Sequence, residues 1–214
     1  PEAEVGQLYS ATLSATGGDG TFSWSLLSGS LPTPLSLSTS GLIGGTPSAA
    51  EAVLFTAQVQ TSDGQTATVD LNLKSWAPAT FVEGYASATS IDRGEAIDLL
   101  TSTDGSEHSL RVYRMGWNGG MGPALVLTVD SVPGLAQSVP TPAPGTGLIE
   151  ANWSTTYTLQ TDLSWTSGVY VVELDGRPSA SGRVQFVLRD DANPADLLVQ
   201  IPVTTYQAYN NWGG

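Results

Sequence analysis

The side chains best suited to chemistry gather near the end of the chain, where Arg189 to Gly214 reads RDDANPADLLVQIPVTTYQAYNNWGG. A polar, Pro-containing hinge (Asp190, Asp191, Asn193, Pro194) leads into the apolar run Leu197, Leu198, Val199, Ile201. Its lack of alternation predicts a strand buried on both faces. Thr204, Thr205, Tyr206, Gln207, Tyr209, Asn210, Asn211 and Trp212 follow, all able to donate, accept or stack. A strand ending in such a loop is how open α/β sheets present their sites. A parallel strand, however, needs a crossover of a dozen or more residues to reach its partner. The run is therefore expected to be an orphan strand, and its apolar residues Leu197, Leu198, Val199 and Ile201 are the candidates for assembly with a sheet edge.

Three other clusters carry candidate chemistry. Asp190 and Asp191, with Asn193 and Asp196, offer the oxygen ligands that calcium prefers, although no EF-hand spacing is present and a solvated, capped hinge is the plainer expectation. His108, flanked by Ser106, Glu107 and Ser109 beside an Asp-Gly turn, is expected to be an exposed turn residue. With a single histidine and no Gly-x-Ser-x-Gly elbow, a serine triad is not predicted. Tyr113, Arg114, Met115, Trp117 and Asn118 sit among glycines, an arrangement suited to binding sugars or flat ligands or to packing against a neighbouring domain. Within it, Trp117, Tyr113 and Arg114 are the ligand-binding candidates.

The elements that must carry these groups are strands. Only 13% of the 214 residues are charged, and 24 Gly and 13 Pro accompany many Thr and Val, which predicts an all-β protein with many turns. The length suits two domains of about 100 residues each. The formal charge of −13 is spread along the chain without a basic footprint, so nucleic acid and anionic membranes are not expected partners. No run approaches the ~20 apolar residues of a membrane span. Cysteine is absent, which removes disulfides and thiolate chemistry and, with the Ser/Thr-rich strands, favours an extracellular prokaryotic protein. The opening at Pro1, without Met or an apolar leader, reads as a processed or trimmed product. Asn152-Trp153-Ser154 is a formal glycosylation sequon, meaningful only in a eukaryotic secretory route.

In residues 1–76, Phe22, Trp24 and Leu26 alternate with polar residues as a half-buried strand should, and Phe55 to Val59 and Ala67 to Leu73 form a hairpin through Ser62-Asp63-Gly64-Gln65. Lys74 to Ala79 reads as a short, stiff linker, with Trp76 wedged between the domains. From Thr80, strands are expected at Ile97–Leu99, Leu110–Val112, Leu125–Val129, Trp153–Leu159, Val169–Leu174 and Val184–Leu188. Turns are expected at Arg93-Gly94, Asp104-Gly105, Gly119-Gly120, Asp175-Gly176 and Ser181-Gly182. The Pro-rich segment 132–147 cannot be a central strand and should cross the surface.

Two resemblances overlay this reading. ATGGDGTFSWSLLSGSLPTPLSLSTSGLIGGTP followed by FTAQVQTSDGQTATVDLNL resembles the immunoglobulin-like repeats of bacterial surface proteins across residues 3–74, with Pro34 where such repeats usually have Gly. That resemblance implies a spacer or adhesive module without catalytic residues. YRMGWNGG, VPTPAPGTGLIEANWS, SGVYVVEL and RDD…TTYQAYNNWGG occur in the same order as in the N,N-dimethylformamidase large-subunit family, which residues 80–214 resemble. It implies a β-sandwich ahead of an α/β catalytic domain that hydrolyses a formamide at an iron held by Tyr, His and Glu. The ligand tyrosine would fall at Tyr209, or less readily Tyr206, with the His and Glu beyond Gly214.

The expected fold is therefore two consecutive immunoglobulin-like β-sandwiches, 1–76 and 80–190, followed by residues 191–214 as the start of an α/β domain or an exchanged strand. The leading expectation is a non-catalytic structural, spacer or binding part of a formamidase-like surface protein, self-assembling through its C-terminal strand. It would need no cofactor of its own, iron belonging to a longer parent. The alternatives are a fragment of an iron-dependent amidohydrolase acting on formamide-type C–N bonds, and a carbohydrate-binding module using Trp117, Trp153 or Trp165.

Overall fold

A computed structural model describes residues 1–177, 180–193, 196, 198 and 200–208, with backbone only at 207 and 208. The chain divides into two compact units, Pro1–Pro78 and Ala79–Gly214.

The first unit is a two-sheet sandwich. One sheet is built from β1 (Glu2–Glu4), β3 (Phe22–Gly29), β6 (Glu51–Thr61) and β7 (Thr66–Trp76) in the order β1-β7-β6-β3. The other is β2 (Tyr9–Thr12), β4 (Ser36–Leu37) and β5 (Leu42–Gly45) in the order β2-β5-β4. Inward residues of both sheets, Trp24, Ile43, Phe55, Ala57, Val59 and Leu73, form one apolar core. Each such large side chain contributes about 1.5–3 kcal/mol by leaving water. Leu26 does not continue the inward series of Trp24. It is 40% exposed although it pairs with the buried Ala57, and the β3–β6 register slips just beyond it, between Leu26 and Ser28.

The β6–β7 hairpin forms where its sequence predicts, but by a different turn. Only Gly64 of the Asp-Gly pair takes positive φ (87°), and Thr61 N–H closes the loop on Gln65 C=O at 2.9 Å. Strand β7 also runs through Lys74, Ser75 and Trp76, which pair in parallel with Glu2, Ala3 and Glu4. The predicted linker is thus mostly sheet. The buried Ser75 hydroxyl locks it there, donating to Ala49 C=O at 2.8 Å and accepting Glu51 N–H at 2.9 Å.

The second unit repeats the plan. Strands β8 (Val82–Ala86), β10 (Ala96–Thr103) and β13 (Tyr157–Gln160) form a sheet in the order β13-β10-β8. The facing sheet holds β9 (Ser90–Asp92), β11 (Glu107–Arg114), β12 (Ala124–Pro133), β14 (Gly168–Gly176) and β15 (Ala180–Arg189) in the order β12-β11-β14-β15-β9. As β1 does on β7, β9 pairs in parallel with the last strand of its unit, β15. In each unit the entering chain touches one sheet and then crosses to the other, which ties the two layers together at an edge. Leu99, Leu110, Val112, Leu159, Tyr170, Val172 and Phe186 are at most 1% exposed and centre the core.

Several expectations are corrected. Asp175-Gly176 and Ser181-Gly182 are not turns but paired positions of β14 and β15. Their glycines answer to close packing: a Cβ on Gly182 would stand 2.5 Å from the Val82 carbonyl oxygen. His108 is no turn residue, since it lies on β11 at 1% exposure. The apolar run near the end forms no strand among its described residues. Leu198 is 97% exposed, and a short helix, α1 (Val203–Ala208), follows. Pro202 starts that helix, its carbonyl accepting the N–H of Thr205 at 3.0 Å and of Tyr206 at 3.2 Å. Proline at a helix start forfeits no hydrogen bond, whereas a central strand would lose one.

Candidate functional site

The single histidine is built into the scaffold of the second unit. His108 follows Leu110 and Val112 on the inward face of β11, and its Nε2 lies 3.1 Å from Thr101 Oγ1 on β10. Thr101 Oγ1 lies 2.7 Å from Thr156 Oγ1, and Thr156 donates its own hydroxyl proton to Leu99 C=O at 3.0 Å. That commitment fixes the direction of the whole relay: Thr101 must donate to Thr156, and His108 must donate Nε2–H to Thr101. The imidazole therefore carries a proton on Nε2. Burial holds its pKa below the ordinary histidine value, opposed in part by the neighbouring Glu107 carboxylate. Glu107 is itself buried and accepts the Ser131 hydroxyl at 2.5 Å.

The hinge acids are engaged by cations and amides. Arg93 Nη2 lies 2.9 Å from Asp190, and Asn193 Nδ2 donates to the same carboxylate at 2.9 Å. Arg189 forks onto Asp191 through Nε and Nη2, at 3.1 and 3.0 Å, and donates Nη1 to Ser90 Oγ at 2.7 Å. Asp191 N–H in turn caps Asp92 at 3.1 Å, which holds the Asp92 carboxyl below its ordinary range. Asp104 behaves likewise. It takes the Thr80 hydroxyl and the N–H groups of Thr80 and Phe81, and its pKa is lowered first by that hydroxyl.

The glycine-rich segment separates its candidates. Tyr113 and Arg114 end β11, where Arg114 donates Nε and Nη2 to Ser167 C=O at 3.3 and 3.0 Å and latches the start of β14. Trp117 lies in the following loop at 80% exposure. Trp153 is buried against Tyr85, ring centroids 5.5 Å apart, and Trp165 stacks on Tyr170 at 5.4 Å. Of the three tryptophans suited to stacking a sugar, only Trp117 offers an open face.

The iron that the family resemblance implies does not fit the described residues. None of their His, Asp and Glu side chains come together in threes, and the one histidine spends its Nε2 on Thr101 in the core. Tyr209 lies outside the described residues, as do Leu197 and Val199. Tyr206 is described, half exposed on α1.

Sequence reasoning missed one concavity altogether. A cleft of ≈ 710 Å³ lies in the second unit, bounded by Tyr85 and Ala86 on β8, Arg183 and Gln185 on β15, and Ile201 and Tyr206 from the C-terminal segment. Its volume falls in the range of ordinary ligand sites, about 300–1,000 Å³. Its signal in the sequence is faint, because β8 carries no run of alternating hydrophobics.

Among solved structures, the chain is similar to murine CEACAM1b at 9% identity, covering 89% of this chain and 96% of that one, with a TM-score of 0.37. It is also similar to the N-terminal eight Ig domains of the Down Syndrome Cell Adhesion Molecule (10%; TM-score 0.35; 89% of this chain, 25% of that one). Fibronectin(III)-like modules of Clostridium thermocellum CbhA align at 11% identity over 93% and 94% of the two chains, TM-score 0.31. The chain thus spans a quarter of the length of the Down Syndrome molecule's structure. No curated protein matches. The sandwich assignment rests on the strand pairings above. Residues 1–75 match the family model described as "Putative Ig domain", and residues 109–214 match that of the N,N-dimethylformamidase beta subunit-like, C-terminal family, the two resemblances that the motifs imply.

Proposed function

We propose that this chain is a non-catalytic spacer and binding part of a formamidase-like surface protein. The observation that carries this reading is the use made of the polar side chains. The one histidine, the buried glutamate and the hinge aspartates, the groups an amidase would need free, are spent on holding strands and loops together. Two sandwiches of immunoglobulin-like plan are the build of a stalk or adhesive module. That build, and the match of residues 1–75 to an immunoglobulin-like family, support an extracellular or cell-surface location, while the absence of cysteine and the Ser/Thr-rich strands favour a prokaryotic source. Self-association through the C-terminal segment belongs to the same reading. Metal analysis and N,N-dimethylformamide hydrolysis by residues 1–214 test it: neither bound iron nor turnover is expected, and about one iron per chain would overturn it. Protease shaving of intact source cells should release the chain, and retention after shaving counts against the location.

A second reading, carbohydrate binding, is favoured by the 80% exposure of Trp117 on its glycine loop. A glycan array that lights up for the chain and goes dark for Trp117→Ala supports it; a blank array removes it.

A further inference from the structure

The loop that joins β11 to β12 holds the one non-glycine residue of positive φ among the described residues, Asn118 at 44°. Gly119 follows at φ 68°, and Gly120 N–H donates to Trp117 C=O at 2.9 Å. Two central residues of positive φ under such a bond make a turn of the I′ kind, which favours Asn-Gly. The Asn118 side chain ties the loop down, donating Nδ2–H to Gly122 C=O at 2.7 Å. The Trp117 ring lies over the turn, since a Cβ on Gly120 would stand 3.5 Å from its Cζ2.

The dipeptide that suits the turn is also open to attack on itself. Residues 115–121 are all exposed. The turn asks no hydrogen bond of the Gly119 nitrogen, and a Cβ built on Gly119 would meet nothing within 4 Å. An unshielded amide nitrogen is thus tethered to a carboxamide at the spacing that closes a five-membered ring. No other asparagine of the chain precedes glycine: Asn72, Asn152, Asn193, Asn210 and Asn211 are followed by Leu73, Trp153, Pro194, Asn211 and Trp212.

We propose that Asn118 is a self-modifying site, its carboxamide converted by the Gly119 nitrogen, through a succinimide, to aspartate or isoaspartate. The Gly119 N–H gives its proton to hydroxide, its nitrogen bonds to Asn118 Cγ, and the Cγ–Nδ2 bond breaks as ammonia leaves with a proton from water. Water then adds to one of the two ring carbonyls. Opening at Cγ leaves aspartate, and opening at the backbone carbonyl of residue 118 leaves isoaspartate. Neither step needs an oxidant or a reductant. The product carries a carboxylate where the parent donated to Gly122, so an acceptor faces an acceptor and the turn loses its tie. The modification adds a negative charge beside Trp117 and loosens the seat of its ring. The folded turn slows the closure, because its hydrogen bonds resist the rotation that brings the nitrogen to Cγ. This inference rests on neither the spacer nor the carbohydrate reading.

The test incubates chain 1–214 for days in mildly alkaline buffer and follows it by peptide mapping, ammonia assay and enzymatic methylation of isoaspartate. Conversion is expected at Asn118 ahead of every other asparagine, with ammonia released in step, isoaspartate as the larger product, and a rate that climbs with pH. Hydroxylamine, which attacks the succinimide, should cut the chain between residues 118 and 119. Gly119→Ala shields the nitrogen and should slow conversion about tenfold. Asn118→Asp should exchange its Gly120 and Gly122 amides faster than the parent does. An Asn118 that keeps its amide while a free Trp-Asn-Gly-Gly-Met peptide loses it overturns the proposal, as does an unchanged rate in Gly119→Ala. Deamidation without isoaspartate would mean direct hydrolysis and overturns it too. Unchanged exchange in Asn118→Asp would overturn the loosening of the turn.

Discussion

His108 and Thr101 face each other across the sandwich of the second unit, with Nε2 of one 3.1 Å from the hydroxyl of the other. The contact places a titratable ring at 1% exposure among apolar neighbours. Folding therefore favours the neutral ring, and the folded pKa lies below the unfolded value of about 6.5. At low pH the unfolded chain binds a proton that the folded chain refuses. Stability from this group is complete above about pH 6.5 and falls as pH drops toward the folded pKa, with a slope of at most about 1.4 kcal/mol per pH unit. Asp19, Asp92, Asp104 and Asp162 have lowered values and titrate further down. Urea unfolding between about pH 7.5 and about pH 5 should show the slope in the wild type and lose it in His108→Gln. A wild-type curve flat over that range would contradict the burial argument.

The position of His108 was legible in one feature of the sequence and hidden by another. His108, Leu110 and Val112 repeat every second residue, the signature of one strand face. Ser106, Glu107 and the preceding Asp-Gly turn outweigh that signal when local polarity is weighed alone. Glu107 itself is buried, held by Ser131 across a strand pair that no spacing announces. The strands of strong alternation, β6, β7, β14 and β15, were legible because burial on one face imposes period two. Strands β8 and β9 were not, because short edge strands need few hydrophobics. The cleft between β8 and β15 was invisible for the same reason. In the C-terminal run, apolar composition without alternation fits several states: the described Leu198 and Ile201 form no strand, Leu197 and Val199 lie outside the described residues, and Pro202 starts the helix that follows.

Gln137 should prove to be the clasp of the Pro-rich crossing. Its amide donates to Thr101 C=O at 2.8 Å and to Ser154 C=O at 3.0 Å, while its Oε1 accepts Ser154 N–H at 2.6 Å. Gln137→Ala leaves those groups without it and should cost about 1–3 kcal/mol in urea unfolding. Gln137→Glu should cost more, because a carboxylate would face two carbonyl oxygens. Proteolysis within residues 138–152 should quicken in both variants, and an unchanged cutting rate would remove the clasp.

Two tryptophans of the second unit should respond in opposite ways. Trp153 is 8% exposed and donates Nε1–H to Ser138 C=O at 2.9 Å, so Trp153→Ala should cost about 3–5 kcal/mol. Trp117 is 80% exposed, and Trp117→Ala should stay within about 0.5 kcal/mol of the parent. Thermal denaturation of the two variants distinguishes them. A destabilised Trp117→Ala would mean that the ring packs in solution.

The glycines that mimic turn signals supply the last prediction. Gly182 lies within β15, paired with Leu174, and a Cβ there would stand 2.5 Å from the Val82 carbonyl oxygen. Gly134 follows β12 directly, and a Cβ there would meet the Gly105 carbonyl oxygen at 1.9 Å. Both obstacles are backbone, so neither can swing aside as a side chain would. In contrast, Gly64 in the β6–β7 turn has open space around its missing Cβ and is constrained only by φ of 87°. Gly182→Ala must push β8 from β15 and should cost about 1–3 kcal/mol, the usual penalty of overpacking. Gly134→Ala, with the shorter approach, should cost at least as much. Gly64→Ala should cost about 1–2 kcal/mol from left-handed strain alone, and Gly64→Asn should recover part of it, since asparagine tolerates that region. Denaturant midpoints for the four variants rank these effects. Recovery by asparagine at Gly182 or Gly134 would show that conformation, not space, demands glycine there.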